Sequence, residues 1–401
     1  MTARGKTHLT RQSLKELHLK QIFLHAGKQC GGISRAELTK RMKLSFPSVS
    51  ALVDELLSAG VLIETGERES NYHGRPRTLL RLSSEFLYFP VFELKRLGYR
   101  FVLYDVYGEI FREEFLPFTR PADQLQEIWH PDLEEICGPL TDCFGRLDKG
   151  MPLADIVLSL PGNISKEGRF SSSASKIVSP FGFLPYLEEK TGRRVLPINR
   201  SDCFAYGERA DGAKPENYIY LYISEGIGAG IVRDGQIFSS GPWRAGEVGH
   251  MSVDFQGRPC PCGSRGCLER YLSTDAITAD CAARLPEGKW DFSAICQAYA
   301  AEDPAVEDVL EEKAEILCAA INNMFALHPI SHLIIGGEIT ALGDEFLSCL
   351  KRHLESRVSS MYRGKIAVTF SKYPGESSTR GAFLNYVDNI LNLNAFYEKE
   401  G

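Results

Sequence analysis

The stretch YIYLYISEGIGAGIVRDGQIF, Tyr218–Phe238, reads as a strand, a glycine-bearing turn and a returning strand. An earlier segment, YFPVFELKRLGYRFVLYDVYGEIFREEFLPF, Tyr88–Phe118, alternates apolar and polar residues through three antiparallel strands, with turns near Lys95–Gly98 and at Tyr107–Gly108. A helical stretch near 122–148 follows the first set, then a buried strand DIVLSLPG and a strand RRVLPINRSD that feeds a helix carrying Phe204, Ala205 and Tyr206. After the second set come a long helix, AVEDVLEEKAEILCAAINNMFALHP, a buried strand, SHLIIGGEI, and helices around 341–356 and 380–393. Two such sets predict an α/β body of two lobes, each a mixed sheet with helices, and a ligand cleft between them.

At 401 residues the chain is long enough for two or three domains. A hydrophobic share of 43% with 24% charged residues is that of a soluble globular protein, and no apolar run approaches the roughly 18 residues of a membrane span. The first twenty residues lack an apolar h-region, so a cytoplasmic location and no membrane partner are expected. Charge is uneven: residues 1–82 carry +7 and the rest −13. A basic head on an acidic body points to a nucleic-acid module joined to an effector domain.

The head has the pattern for it. Leu14, Leu17, Ile22 and Phe23 fall at helical spacing. Ser34 with Glu37 predicts a capping box opening a second helix, and Ser45 with Pro47 predicts the N-cap and first turn of a third, which stops at Gly60. Helix, tight turn and helix would present Ser45, Phe46, Ser48 and Ser50 to a major groove, with Arg35 beside them. Two strands beyond Gly60 make a wing, and its return, Gly74, Arg75, Pro76 and Arg77, suits a narrow minor groove. The domains expected are a winged helix-turn-helix at 1–83 and an effector domain at 84–401. The lobe boundary should lie near 205–215, the C-terminal helix returning to the first lobe.

Of eleven cysteines, eight are scattered, and only Cys260, Cys262 and Cys267 form a spacing that asks for a ligand. His250 precedes Cys260 by nine intervening residues, C-P-C follows, and Cys267 completes a set of one imidazole and three thiolates. Four such ligands close a tetrahedron, as in structural zinc, and leave no position for a catalytic water. One zinc per chain is expected, and it would hold still the flanking Glu247 and Glu269.

SLPG at 159–162, SEGIGAGIV at 224–232, GEVGH at 246–250, CPCGSRGCLE at 260–269 and LIIGGEI at 333–339 together resemble the ROK family of repressors and sugar kinases, whose body is actin-like. With the head in front, the chain is similar to the family's transcriptional-regulator branch, the xylose-repressor and N-acetylglucosamine-repressor type. The resemblance implies zinc on the Cys/His block, hydroxyls of a sugar hydrogen-bonded by Glu247, His250 and Glu269, and Gly162, Asn163 and Asn199 around the same pocket.

A kinase of that family needs a phosphate loop after the first strand, a Gly-Thr-Gly loop in the second lobe, and an Asp directly after Asn as base. Here the first turn is ELKRLGY, Glu93–Tyr99, without a glycine-rich cradle, and Glu225 stands where a hydroxyl is needed and would repel a triphosphate. Arg200 occupies the base position and cannot accept a proton. Gly336–Gly337, expected to face adenine in a kinase, reads as a remnant or a tight turn. The expectation is therefore no enzyme and no catalytic residue, but a regulator, a repressor of carbohydrate genes. Its partners would be operator DNA and a sugar or sugar-phosphate effector, and its assembly a homodimer or dimer of dimers. Arg200 suits an anionic group, a sugar 6-phosphate or a uronate. The alternatives are an active sugar kinase with a DNA-binding appendage and a regulator controlled by a protein at the zinc loop.

Overall fold

The structure, a computed structural model, describes residues 10–69, 77–119, 127–147, 150–164, 170–172, 176–209, 215–238, 246–328, 332–373 and 377–393. The head begins with α1 (Arg11–Gly27), β1 (Ile33–Ser34), α2 (Arg35–Met42) and α3 (Phe46–Ser58), followed by β2 (Leu62–Glu69) and β3 (Arg77–Leu82). Ser34 Oγ accepts from the Glu37 N–H at 3.3 Å and caps α2, while the Glu37 carboxylate takes Arg41 Nε at 2.9 Å. Lys43 in the left-handed region (φ 55°) makes the sharp turn between α2 and α3, and Ser45 caps α3 by accepting from the Ser48 N–H at 3.3 Å. β3 pairs antiparallel with both β1 and β2, a small sheet beside the three helices. The buried face of α1 is Leu19, Ile22, Phe23 and Ala26; of the residues at helical spacing, Leu14 and Leu17 stand exposed.

The first lobe follows: β4 (Phe89–Lys95), β5 (Gly98–Tyr104), β6 (Ile110–Pro117), α4 (Leu133–Gly145), β7 (Ile156–Leu160), a small sheet of β8 (Asn163–Ile164), β9 (Phe170–Ser172) and β10 (Ile177–Val178), then α5 (Phe183–Thr191), β11 (Val195–Asn199) and α6 (Arg200–Gly207). The helix expected near 122–148 is shorter: Asp132 accepts from the Glu135 N–H, and the Glu135 carboxylate accepts from the Asp132 N–H, both at 2.8 Å, a capping box that fixes the start at Leu133.

The second lobe comprises β12 (Tyr218–Ile223), β13 (Ile227–Arg233), β14 (Gln236–Ile237), α7 (Glu269–Leu272), α8 (Thr274–Arg284), α9 (Phe292–Ala300), α10 (Pro304–Leu327), β15 (His332–Gly336), α11 (Gly343–Arg357) and β16 (Ala367–Phe370). The chain ends in α12 (Ser377–Asn385), continued by a wider π turn over Tyr386–Ile390.

Both large sheets have the same order. β11-β7-β4-β5-β6 and β14-β13-β12-β15-β16 each join an antiparallel meander of three strands to two parallel ones. The C-terminal helix α12 packs on α6, β4 and β7, in the first lobe. The head is not a bead on a string: Leu19, Phe23, Leu80 and Leu82 share one buried cluster with Phe89, Val102, Val106, Phe383 and Tyr386. Tyr107 Oη donates to the Leu82 carbonyl at 2.8 Å across the same junction.

Candidate functional site: an interlobe cleft beside a Cys/His cluster

After Glu247 a single 3₁₀ turn, Val248–His250, places the imidazole, and a tight loop then returns the cysteines to it. The loop is held by its own backbone: Cys260 N–H donates to Ser264 O at 2.9 Å, Gly263 N–H to Cys260 O at 3.0 Å and Gly266 N–H to Arg258 O at 2.8 Å. The ligand atoms of His250, Cys260, Cys262 and Cys267 all lie within 4.8 Å of one another. Cys262 Sγ and Cys267 Sγ are 3.6 Å apart, and Cys260 Sγ is 3.7 Å from His250 Nδ1. Metal–sulfur bonds of about 2.3 Å in a tetrahedron put sulfurs about 3.8 Å apart, so the four side chains fit a closed metal site. In the Cys262 thiol, the Ser264 backbone hydrogen bond favours the thiolate and lowers the pKa, whereas burial pushes Cys267 up to about 12.

The block is fastened on two sides. Glu269 Oε2 accepts from the Ile227 N–H at 3.1 Å, which ties the loop's end to the first residue of β13. Arg258 lies over the Tyr271 ring, 4.7 Å from its centroid, donates to the Arg270 carbonyl at 2.9 Å and reaches Asp280 Oδ1 at 2.7 Å. The buried Lys313 of α10 grips the other Asp280 oxygen.

Between the lobes lies a cleft of about 300 Å³ that Gly162, Arg200, Ser201, Tyr222, Glu247, His250 and Glu269 help to line. Its size is at the small end of ligand sites, which run from about 300 to 1,000 Å³. Five expected ligand residues, Gly162, Arg200, Glu247, His250 and Glu269, are thus brought together. Asn199 is not on the wall. Its Nδ2 donates to the Gly162 carbonyl at 2.8 Å and its Oδ1 accepts from the Ser201 N–H at 2.7 Å, so it caps α6 and positions the Gly162 turn. The side chain of Asn163 lies outside the described residues. Gly162 needs to be glycine, since at φ +78° an added Cβ would sit 2.1 Å from Ser171 O. Tyr222 and Ser201 carried no spacing signal; a strand end and a helix start meet there only in the fold.

Arg200 is the first residue of α6, 7% exposed, with its guanidinium 5.1 Å from the centre of the Tyr222 ring. Burial opposes its charge, yet Tyr222, Glu93, Glu225 and Glu338 together raise its pKa above the ordinary value. The β4–β5 connection is a tight hairpin closed by Lys95 opposite Gly98, and Glu93, wholly buried, pairs with Lys95 at 2.9 Å. Gly228 and Gly230 serve packing, for added Cβ atoms would lie 2.4 Å from Ser201 Oγ and 2.5 Å from Ala205 Cβ on α6. At Gly336 an added Cβ would meet the Tyr220 hydroxyl at 1.8 Å, a packing reason for the glycine.

In the head, Ser45, Phe46 and Ser48 are exposed at the start of α3, Phe46 to 53%, and Ser50 is half-buried. Arg35 is committed within the head: Nη1 lies 2.8 Å from Asp54 Oδ1 and 3.4 Å from the Ser50 carbonyl, joining α2 to α3. Gly74, Arg75 and Pro76, and the side chain of Arg77, lie outside the described residues. No helix among the described residues is long and apolar enough to cross a membrane.

Two sheets of like order around an interlobe cleft, behind a helical head, define a sugar-kinase-like body joined to a helix-turn-helix module. The ROK family model matches residues 99–388, and the chain belongs to that family. It is 26% identical to the xylose repressor of Caldicellulosiruptor bescii over 90% of this chain and 93% of that protein. Against the DNA-binding transcriptional dual regulator NagC of Escherichia coli the identity is 26%, over 98% of each. Among solved structures, a ROK family transcriptional regulator described as a homologue of the E. coli MLC protein superposes with a TM-score of 0.76 at 24% identity, covering 92% of this chain and 95% of its own. The ROK hexokinase of Thermus thermophilus gives 0.61 at 20% identity and accounts for 74% of this chain and 97% of its own. The regulator, unlike the kinase, extends over nearly the whole molecule.

Proposed function

We propose that the protein is a DNA-binding transcriptional regulator, a repressor of carbohydrate genes, that responds to a sugar or sugar phosphate in the interlobe cleft and has no kinase activity. The observation that carries this is the head: the exposed start of α3 stands on a module whose core runs directly into the ligand-bearing lobe. Ser45, Phe46, Ser48 and Ser50, with Gly74, Arg75, Pro76 and Arg77 of the wing, would meet operator DNA; Arg35 would shape that surface from within. Residues 1–83 form the DNA module and 84–401 the effector domain, and the active form is a cytoplasmic homodimer or dimer of dimers. The end-to-end similarity to named repressors supports the same reading.

On the effector side, His250, Cys260, Cys262 and Cys267 hold one structural zinc, which would keep Glu247, Glu269 and the imidazole in place to accept from sugar hydroxyls. Loss of the kinase reaction rests on Arg200 in the base position, on Glu225, and on a hairpin where phosphates would need a cradle. Arg200, buried and lining the cleft, favours an anionic effector. An operator mobility assay across neutral sugars, sugar phosphates and uronates tests the reading. A sugar-type ligand that changes operator affinity, with no phosphorylation of it by ATP, is the expected result; measurable sugar phosphorylation overturns the inactive-kinase part.

A protein effector at the metal loop is the second reading, and the observation that favours it is Phe255, 82% exposed on that loop. In that case no small ligand shifts the operator, and Phe255→Ser abolishes regulation while leaving operator affinity intact.

A further inference from the structure

Outside the cleft, the packed pair α10 and α11 brings three kinds of metal ligand together. Cys349 and His353 stand four apart on α11 and so share one face, and Glu311 meets them from α10. Cys349 Sγ is 2.9 Å from Glu311 Oε2, and His353 Nε2 is 2.8 Å from Glu311 Oε1. Thiol, imidazole and carboxylate atoms all lie within 4.8 Å of one another, as they do in the His250 block. Cys349 and His353 are both more than nine-tenths buried. Glu311 and Cys349 line a surface cavity of about 620 Å³, to which Glu307 and Glu345 add further carboxylates and through which an ion could enter.

The donor set decides the class of ion. One thiolate, one imidazole and one carboxylate are borderline-soft, the company of Zn²⁺ rather than Mg²⁺ or Ca²⁺, and three protein ligands leave a fourth position for water or for a rim carboxylate. Arg352 supplies positive charge to the same group, its Nη2 2.7 Å from Glu311 Oε2 and 3.5 Å from Cys349 Sγ, on a side chain that is 66% exposed. We propose that Glu311, Cys349 and His353 form a second metal site, for Zn²⁺ or a transition ion of the same class, with Arg352 moving aside as the ion binds. An ion there fixes α10 to α11 two residues from Lys313, which grips Asp280 and through it Arg258 of the metal loop. The site thereby adds a metal-dependent brace to the helices behind the cleft.

The full-length protein, stripped with a chelator and titrated with zinc, should take two ions per chain, and Cys349→Ser or His353→Gln should take one. Zinc-edge X-ray absorption on the unaltered chain gives an independent reading. One site with three thiolates and one with a single thiolate average about two sulfurs per ion, against about three if the loop alone is filled. One ion per chain with about three sulfurs overturns the proposal. So does a second equivalent that Cys349→Ser retains, which would be adventitious binding. If a variant fails to fold, the sulfur average of the unaltered chain decides.

Discussion

Arg200 is 7% exposed, and a guanidinium at that depth persists only where negative charge surrounds it. Glu93 of the first lobe and Glu225 and Glu338 of the second supply part of that charge and favour the cation. A charge-assisted hydrogen bond to a ligand anion contributes about 1.5–3 kcal/mol, or roughly 10- to 150-fold in affinity. Arg200→Met should therefore weaken a sugar phosphate by that factor in calorimetry and leave operator affinity unchanged. Tight binding of a neutral sugar, undiminished in Arg200→Ala, would rule the anionic effector out. Gly162→Ala tests the opposite wall: its Cβ meets Ser171 O at 2.1 Å, and the turn that Asn199 holds must move. Ligand affinity should drop at least tenfold, about 1.4 kcal/mol, with little change in the head. Arg200 could be singled out in the sequence because its neighbours formed a motif with one member changed. Asn199's service to backbone groups could not, because which amide ends meet which carbonyls is settled by the strand-to-helix corner.

At the scale of elements, caps and turns were legible where side chain and backbone act within a few residues: Ser45 before α3 and the hairpin at Lys95–Gly98. What escaped depends on contacts made far along the chain. Leu14 and Leu17 share the periodicity of α1 but lie off its buried face, which the rest of the head's core selects. Lys313 is the sharper case, since an isolated lysine within a helix gives no sign that it will be wholly buried. Although burial opposes its charge, Asp280 is held below the ordinary carboxylate range by hydrogen bonds from Arg258 and Lys313. Being more acidic folded than unfolded, it stabilises the chain fully above its ordinary value of 3.8, and that contribution is lost as pH falls below it. Asp280→Asn leaves the buried Lys313 with only the more distant Glu312 carboxylate, 3.7 Å away, and should cost about 3–5 kcal/mol in denaturant unfolding at neutral pH. The pair Asp280→Leu with Lys313→Met should recover much of it; a double variant as unstable as the single would show that packing, not charge, is at fault.

Across the whole molecule, a ligand in the cleft can reach the DNA module only through elements that touch both. α6 begins at Arg200 in the cleft and packs along α12, closely enough that a Cβ at Gly381 would lie 1.7 Å from Cys203 O. At the far end of α6 the Tyr206 hydroxyl donates to Asp388 Oδ2 at 2.8 Å, and Asn389 Nδ2 donates to the same hydroxyl at 3.2 Å. That π turn carries Tyr386 and Val387 into the cluster shared with Leu19, Ile22 and Phe23 of α1. Arg200 in the cleft, α6, the C-terminal helix and the head thus form one contiguous packed series, and a regulator needs such an element to prefer different positions with and without ligand. Tyr206→Phe removes both hydrogen bonds of this joint and keeps the ring. Couplings between sites usually amount to about 1–3 kcal/mol, and a buried hydrogen bond contributes about 0.5–1.5 kcal/mol. The variant should bind operator alone and ligand alone as the unaltered chain does, while the ratio of operator affinities with and without ligand shrinks several-fold. Operator titrations at zero and saturating ligand measure that ratio. If it is unchanged, signalling does not run through this joint of α6.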